Sequence, residues 1–248
     1  MPISPNPTPK NILLVAIFLL AAWLMPQFSL AQMKNVERNS KKVYYMATGI
    51  LPYSPAVKLK VAYHKQEHAL SCEIASLLMA LKYKTVSVTE SELIARIPVA
   101  DAGARDRKNN TWGDPNLGFV GNIDGKMPNT GYGVYEQPIY DVAVKYRPAK
   151  IIIDGSLNDL IAELINDNPV VVWGTAGSGK DISWKTSEGK IIPARYIEHA
   201  RLLIGFTGTS EKPEKMILLD PVYGEIKMSV KSFMQNWELM DKRAVVVY

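Results

Sequence analysis

From Lys58 to Tyr63 apolar and polar positions alternate, with Leu59, Val61 and Tyr63 set against Lys58, Lys60 and Ala62, which predicts a strand. At Cys72 the period changes. Ile74, Leu77, Leu78 and Leu81 recur at helical spacing and predict a helix from about Ser71 to Tyr83. Thr89 and Glu92 have capping-box spacing ahead of Leu93, Ile94 and Ile97, so a second, short helix follows. Residues 101–133 carry no periodicity and seven glycines, which predicts a long loop; Trp112, Phe119, Tyr132 and Tyr135 in or beside it argue that it is packed. Further helices are expected from Tyr135 to Tyr146 and from Ser156, with Leu157, Leu160, Ile161 and Leu164 on one face, up to Asn168-Pro169. Strands are expected at Val170–Trp173, His199–Phe206, Met216–Leu219 and Ala244–Tyr248, with a helix over Ser229–Leu239. Helices come first and strands later, the order of an α+β domain.

The N-terminal pattern differs from all of this. Lys10 precedes the uninterrupted 14-residue apolar run Ile12–Met25, Pro26 ends the run, and Ser29-Leu30-Ala31 supplies small residues at a cleavage site. The run is shorter than the roughly 20 residues of a spanning helix, so residues 1–31 read as a secretory signal cleaved after Ala31, with an uncleaved N-terminal anchor as the alternative. Residues 32–54, polar and basic with Pro52, read as a linker, and residues 55–248 as one domain. The expected location is secreted or extracytoplasmic, with membrane contact only through the N-terminal segment. Composition changes little: 47% hydrophobic and 21% charged residues describe a globular chain. The net charge of +5 is spread along the sequence without a basic stripe, which argues against a nucleic-acid partner.

Chemistry enters with the single cysteine. Cys72 opens an amphipathic helix, where the partial positive charge of the helix start favours a thiolate. A thiol nucleophile needs a base, an orienting group for that base and donors for an oxyanion. Of three histidines, His199 opens a predicted buried strand; Asp220 closes the next one and would lie at the same end of the sheet if the two strands are antiparallel neighbours. Gln66, six residues before Cys72, is a candidate oxyanion donor with the Cys72 N–H. Each residue also has a plain reading: a buried filler for Cys72, a strand end for His199, a turn residue before Pro221 for Asp220. Two other constellations are weaker. His64, His68 and Cys72 would share a face for zinc only on a continuous helix, which the strand ending at Tyr63 argues against. Gly174-Thr175-Ala176-Gly177-Ser178-Gly179-Lys180 has the spacing of a phosphate loop, but Asp181 stands where a hydroxyl is needed and a hairpin-like pattern follows; a glycine-rich turn is the better reading.

Six segments in order carry a family resemblance: Gln66–Leu77, Trp112-Gly113-Asp114-Pro115 with Gly118–Gly121, Gly133-Val134-Tyr135, Asn168–Trp173, Glu198-His199-Ala200, and Asp220-Pro221. The chain resembles the papain-like cysteine peptidases, in particular the peptidase family thirty-nine-like branch, relatives of the enzymes that remove double-glycine leaders from bacteriocins. The resemblance spans about residues 60–248. It implies a papain-like α+β fold, a Cys-bearing helix packed on an antiparallel sheet that carries His and Asp. It also implies a Cys72–His199–Asp220 triad and Gln66 at the oxyanion; a peptide or protein substrate is expected, and no cofactor or metal. Trp112, Asp114, Asn129 and Tyr132 are candidates to line the substrate cleft. The transporter-borne members carry transporter and ATPase domains that this sequence does not show, so leader cleavage is not inherited with the fold. The expected function is an exported thiol hydrolase of peptide or amide bonds; the alternative is a module on the same fold that grips a peptide or cell-wall component without cutting.

Overall fold

A computed structural model of the chain describes residues 53–248, together with Val36, Thr48 and Leu51. The predicted signal or anchor, and nearly all of the predicted linker, lie outside the described residues. The helices and strands named below belong to the compact unit Tyr44–Tyr248.

The helical period at Cys72 forms α1 (Cys72–Tyr83), whose residues Cys72–Leu81 are all buried. A helix apolar around nearly its whole circumference must be enclosed by other elements, and α1 packs against the long strand Glu198–Thr209. The capping box is present in α2 (Glu90–Ile94), with both Thr89 and Glu92 closing it. The Ser156 helix is α4 (Leu157–Ile165), capped by Ser156 and Asp159. Before it, α3 spans Glu136–Ala143, shorter than predicted, and α5 (Val230–Glu238) starts at its Ser229 cap.

The sheet holds seven strands, all pairings antiparallel. Six run in the order β11 (Gly224–Ser229), β10 (Pro213–Asp220), β9 (Glu198–Thr209), β6 (Val170–Thr175), β12 (Ala244–Val247) and β5 (Ala149–Ile152). The first strand, β1 (Pro55–Lys58), pairs with the far half of β9. It begins before the predicted Lys58–Tyr63 strand: beyond Lys58 only Leu59 still donates to the sheet, at Ile204 O (2.8 Å). The alternation there reports Leu59 turning inward as the chain leaves β9, since pairing requires a partner edge and not only a pattern. Gly205 is what admits β1, because a Cβ there would stand 2.1 Å from Val57 O.

The predicted loop is more ordered than its sequence suggests. Two short strands in it, β3 (Phe119–Gly121) and β4 (Gly131–Gly133), form a small sheet with β2 (Val99–Asp101) at its start. Glycine-rich strands of three residues carry no readable period. The glycine-rich turn reading of 174–180 holds: the chain turns there between β6 and the hairpin β7 (Asp181–Lys185) and β8 (Ile191–Arg195). Trp184 of that hairpin packs edge-on against Trp112 and Tyr132, at ring separations of 5.4 and 4.9 Å, and anchors the glycine-rich segment. Among the described residues no helix is long and apolar enough to cross a membrane.

Candidate active site

Cys72 is the first residue of α1 and is 3% exposed. The segment before it, residues 64–71, is not helical. It is held by one buried carboxylate, Glu90 of α2, which accepts from Ser71 Oγ, from the Glu67 N–H (3.1 Å) and, at 2.7 Å, pairs with His64 Nε2. His68 pairs instead with Asp124. The zinc arrangement of His64, His68 and Cys72 therefore has no shared helical face.

His199 and Asp220 sit where β9 and β10 meet. These strands are antiparallel neighbours in the register Leu202 to Leu219, which brings the start of β9 and the end of β10 to one end of the sheet. His199 Nε2 lies 3.0 Å from Asp220 Oδ2. The same carboxylate oxygen accepts from Arg201 Nε (2.8 Å), and Oδ1 accepts from the Val222 and Tyr223 N–H groups (2.9 and 3.2 Å). Sequence reasoning missed Arg201. Its signal was the strand period, since His199 and Arg201 are two apart and share a face. The Gln66 segment joins this corner as well, through Gln66 N–H to Pro221 O (3.0 Å) and Tyr63 Oη to the same carbonyl (3.1 Å).

Gln66, Cys72, Tyr132, Glu198 and His199 line one cavity of about 450 Å³. Inside it the Cys72 thiol has partners that the sequence did not suggest. It donates to Glu73 Oε2 (3.2 Å) and accepts the Ala200 N–H (3.4 Å). Among the described residues it makes no hydrogen bond to His199. Glu73 Oε1 in turn accepts from the Val134 N–H (2.8 Å). A glutamate directly after the helix start reads as a solvated first-turn acid; it is instead fully buried, because α1 is enclosed on every side. The Gln66 amide donates to the carbonyls of His68 (2.8 Å) and Ala69 (3.0 Å), and its buried Oε1 has no partner among the described residues.

The remaining cleft candidates are placed apart from this cavity. Trp112 and Asp114 line a separate cavity of about 580 Å³, where Asp114 pairs with Lys190 (2.6 Å) and Trp112 Nε1 donates to Gly103 O (2.8 Å). Asn129 is exposed, and its carbonyl accepts from the Arg105 N–H. Of the four, Tyr132 alone lines the Cys72 cavity.

Electrostatics correct one expectation. The helix start was expected to favour the thiolate, but burial, then the charges of Glu73 and Glu198, push the Cys72 thiol well up, against a small opposing effect of the Ala200 N–H. Burial also raises Glu73, to about 7, opposed by the Val134 N–H. Glu198 rises well above the carboxylate range through burial and the nearby Glu73, against the positive fields of Arg201 and Arg243. Burial lowers His199, although its bond to Asp220 works the other way. Burial pushes the Asp220 carboxyl up, but the bond from His199, its charge, the Val222 N–H and Arg201 outweigh burial and hold it well below the usual range. The resting pair is thus a neutral thiol and a neutral imidazole.

This is a papain-like α+β fold, with the cysteine-bearing helix packed on an antiparallel sheet that carries the histidine and the aspartate. The chain belongs to the Peptidase_C39 like family, whose sequence model matches residues 58–245. The uncharacterized protein YvpB of Bacillus subtilis (strain 168) is 32% identical over 186 residues, which cover 71% of this chain and 68% of YvpB. A crystal structure from Bacillus anthracis, assigned provisionally as a C39-like peptidase, superposes with a TM-score of 0.68 at 28% identity, covering 79% of this chain and 98% of that one. A double glycine motif protease from an AMS/PCAT transporter, solved with its leader peptide, is a more distant likeness, with a TM-score of 0.44 at 15% identity over 78% of this chain and 96% of that one.

Proposed function

We propose that this chain is an exported thiol hydrolase that cleaves a peptide or amide bond, with Cys72 as nucleophile, His199 as base and Asp220 as the group that orients His199. The observation that carries this reading is the convergence of Cys72 and His199 on one cavity, with His199 held through Nε2 by an ionised, buried Asp220. That bond leaves Nδ1 as the ring nitrogen available to the thiol proton. His199 takes this proton as sulfur attacks the substrate carbonyl, then gives it to the leaving amine, and water releases the thioacyl group. The oxyanion is met by the Cys72 N–H, one of the first-turn amides that have no acceptor within the helix. Gln66 joins it after releasing one of its two loop carbonyls. Because the resting pair is neutral, proton transfer accompanies attack rather than preceding it. Export rests on the Lys10, Ile12–Met25 and Ser29–Ala31 pattern.

The bond from the Cys72 thiol to Glu73 favours a second reading, a module that holds a peptide without cutting it. Hydrolysis of a mixture of quenched fluorescent peptides by the full chain separates the two. Under the hydrolase reading, turnover falls by at least about 10³-fold in both Cys72→Ala and His199→Ala. Turnover retained in Cys72→Ala overturns the mechanism. Peptide binding without turnover in the unaltered chain establishes the module.

A further inference from the structure

Glu198 is 3% exposed, and neither of its carboxylate oxygens has a hydrogen-bond partner among the described residues. Native proteins rarely bury a polar group unpartnered, and where they do, the group usually serves a ligand, an ion or a reaction. Its surroundings indicate which. Cys72 Sγ, one carboxylate oxygen of Glu73 and one of Glu198 all lie within 4.8 Å of one another. Glu198 makes no hydrogen bond to Glu73, so the two carboxyl groups are not joined by a shared proton. With Cys72 and Glu73 in hydrogen-bond contact, and Glu198 close to both but bonded to neither, the three are spaced as donors around a cation. The centre of the triangle is at most about 2.8 Å from each donor, and zinc bonds of about 2.0–2.3 Å need each side chain to close by well under 1 Å.

The backbone makes room for these groups. Gly133 (φ +140°) lies directly against both carboxylates: a Cβ there would stand 2.4 Å from Glu73 Oε1 and 3.0 Å from Glu198 Oε2. Among the described residues no lysine or arginine donates to any of the three groups: Cys72 bonds to Glu73 and the Ala200 N–H, Glu73 also to the Val134 N–H, and Glu198 to none of them. One side is open, since Cys72 and Glu198 both line the cavity that holds His199.

We propose that Cys72, Glu73 and Glu198 form a binding site for a borderline-soft divalent cation such as Zn²⁺, with a fourth position open to the cavity. A thiolate with two carboxylates selects zinc or cobalt over magnesium and calcium, which prefer all-oxygen sites. Binding releases to solvent the thiol proton and any proton still held by Glu73 and Glu198, and forms one metal–sulfur and two metal–oxygen bonds. The bound sulfur is then withdrawn from attack. This consequence rests on the proposed hydrolase function; the binding itself does not. The ion would act as a reversible block on Cys72.

The test is a Co²⁺ titration of the full, chelator-treated chain followed by absorbance. The expected result is one equivalent bound with a near-ultraviolet thiolate-to-cobalt charge-transfer band that Zn²⁺ abolishes and Mg²⁺ does not. Cys72→Ser loses the band, and Glu198→Gln weakens Co²⁺ binding by about 10-fold or more. A chain without the band, or a Glu198→Gln variant that binds Co²⁺ as tightly as the unaltered chain, overturns the site. If Glu198→Gln fails to fold, the unaltered chain decides: Zn²⁺ must slow iodoacetamide alkylation of Cys72 and a chelator restore it, and an unchanged rate at saturating Zn²⁺ overturns the proposal. Both readouts are independent of peptide hydrolysis, so failure of the metal site and failure of the hydrolase reading are told apart.

Discussion

Cys72 stands between two opposed fields. The start of α1 favours a negative charge on sulfur, while enclosure by α1, β4 and β9 and two adjacent carboxyl groups oppose it, and the second set wins. Iodoacetamide alkylation of Cys72, in chelator, is therefore expected to be slow at neutral pH and to rise with a midpoint above the ordinary thiol value of about 8.5. A midpoint well below that value would mean that His199 already holds the proton in the free protein. The aspartate is a second decisive residue. Asp220→Asn removes the negative charge that both His199 and the buried Arg201 share, and leaves Arg201 without its ionic partner. A loss on the order of 3 kcal/mol in urea unfolding is expected, with a loss of turnover beside it. The candidates Cys72, His199 and Asp220 were legible because scarce or turn-forming residue types fell at element boundaries. Glu73 was not legible: its burial follows from what surrounds α1, and nothing local marks it.

At the scale of the element, β9 organises the molecule. Its twelve residues pair with β10 along one edge, and with β6 and then β1 along the other. Gly205 is the point at which β1 crosses close, with Val57 O and the Lys58 Cα near the position of an added Cβ (2.1 and 2.9 Å). Both neighbours are backbone and cannot swing aside. Gly205→Ala is expected to cost about 1–3 kcal/mol and to expose the β1 amides to hydrogen exchange while the β9–β10 pairing stays protected. Unchanged protection of the Ala56, Val57 and Lys58 amides would show that β1 contributes nothing to this edge. Element boundaries followed the sequence best where a side chain closes the end, as Thr89, Ser156 and Ser229 do. β5 and β11 escaped notice because each is short and only partly buried: Ile151 and Ile152 are adjacent and do not alternate, and β11 offers only Ile226 and Met228.

For the whole molecule, burying acids has a pH signature. Glu73 titrates near 7 in the fold against an ordinary value of 4.5. Between those values the unfolded chain has released this proton and the folded chain retains it, so stability falls as pH rises through the window. Glu198 is shifted in the same direction, and Asp220, held low, acts oppositely and only at more acid pH. In chelator, the unfolding free energy is expected to drop between pH 4.5 and 7, with Glu73 contributing on the order of 3 kcal/mol. Glu73→Gln flattens that slope; an identical slope in the variant would place the effect elsewhere. The sequence alone determined the order of helices and strands and the capped helix starts, and it offered the thiol, imidazole and carboxylate that are proposed to act together, because these depend on local period, capping chemistry and residue type. Tertiary structure alone decided that Trp112 and Asp114 line a different cavity from Cys72, that the thiol bonds to Glu73, and that Glu198 lies buried beside it. The reason is physical: which groups meet where the helix packs on the sheet, and how far burial shifts their protons, depends on contacts between residues far apart in the chain, and those contacts leave no periodic trace along it.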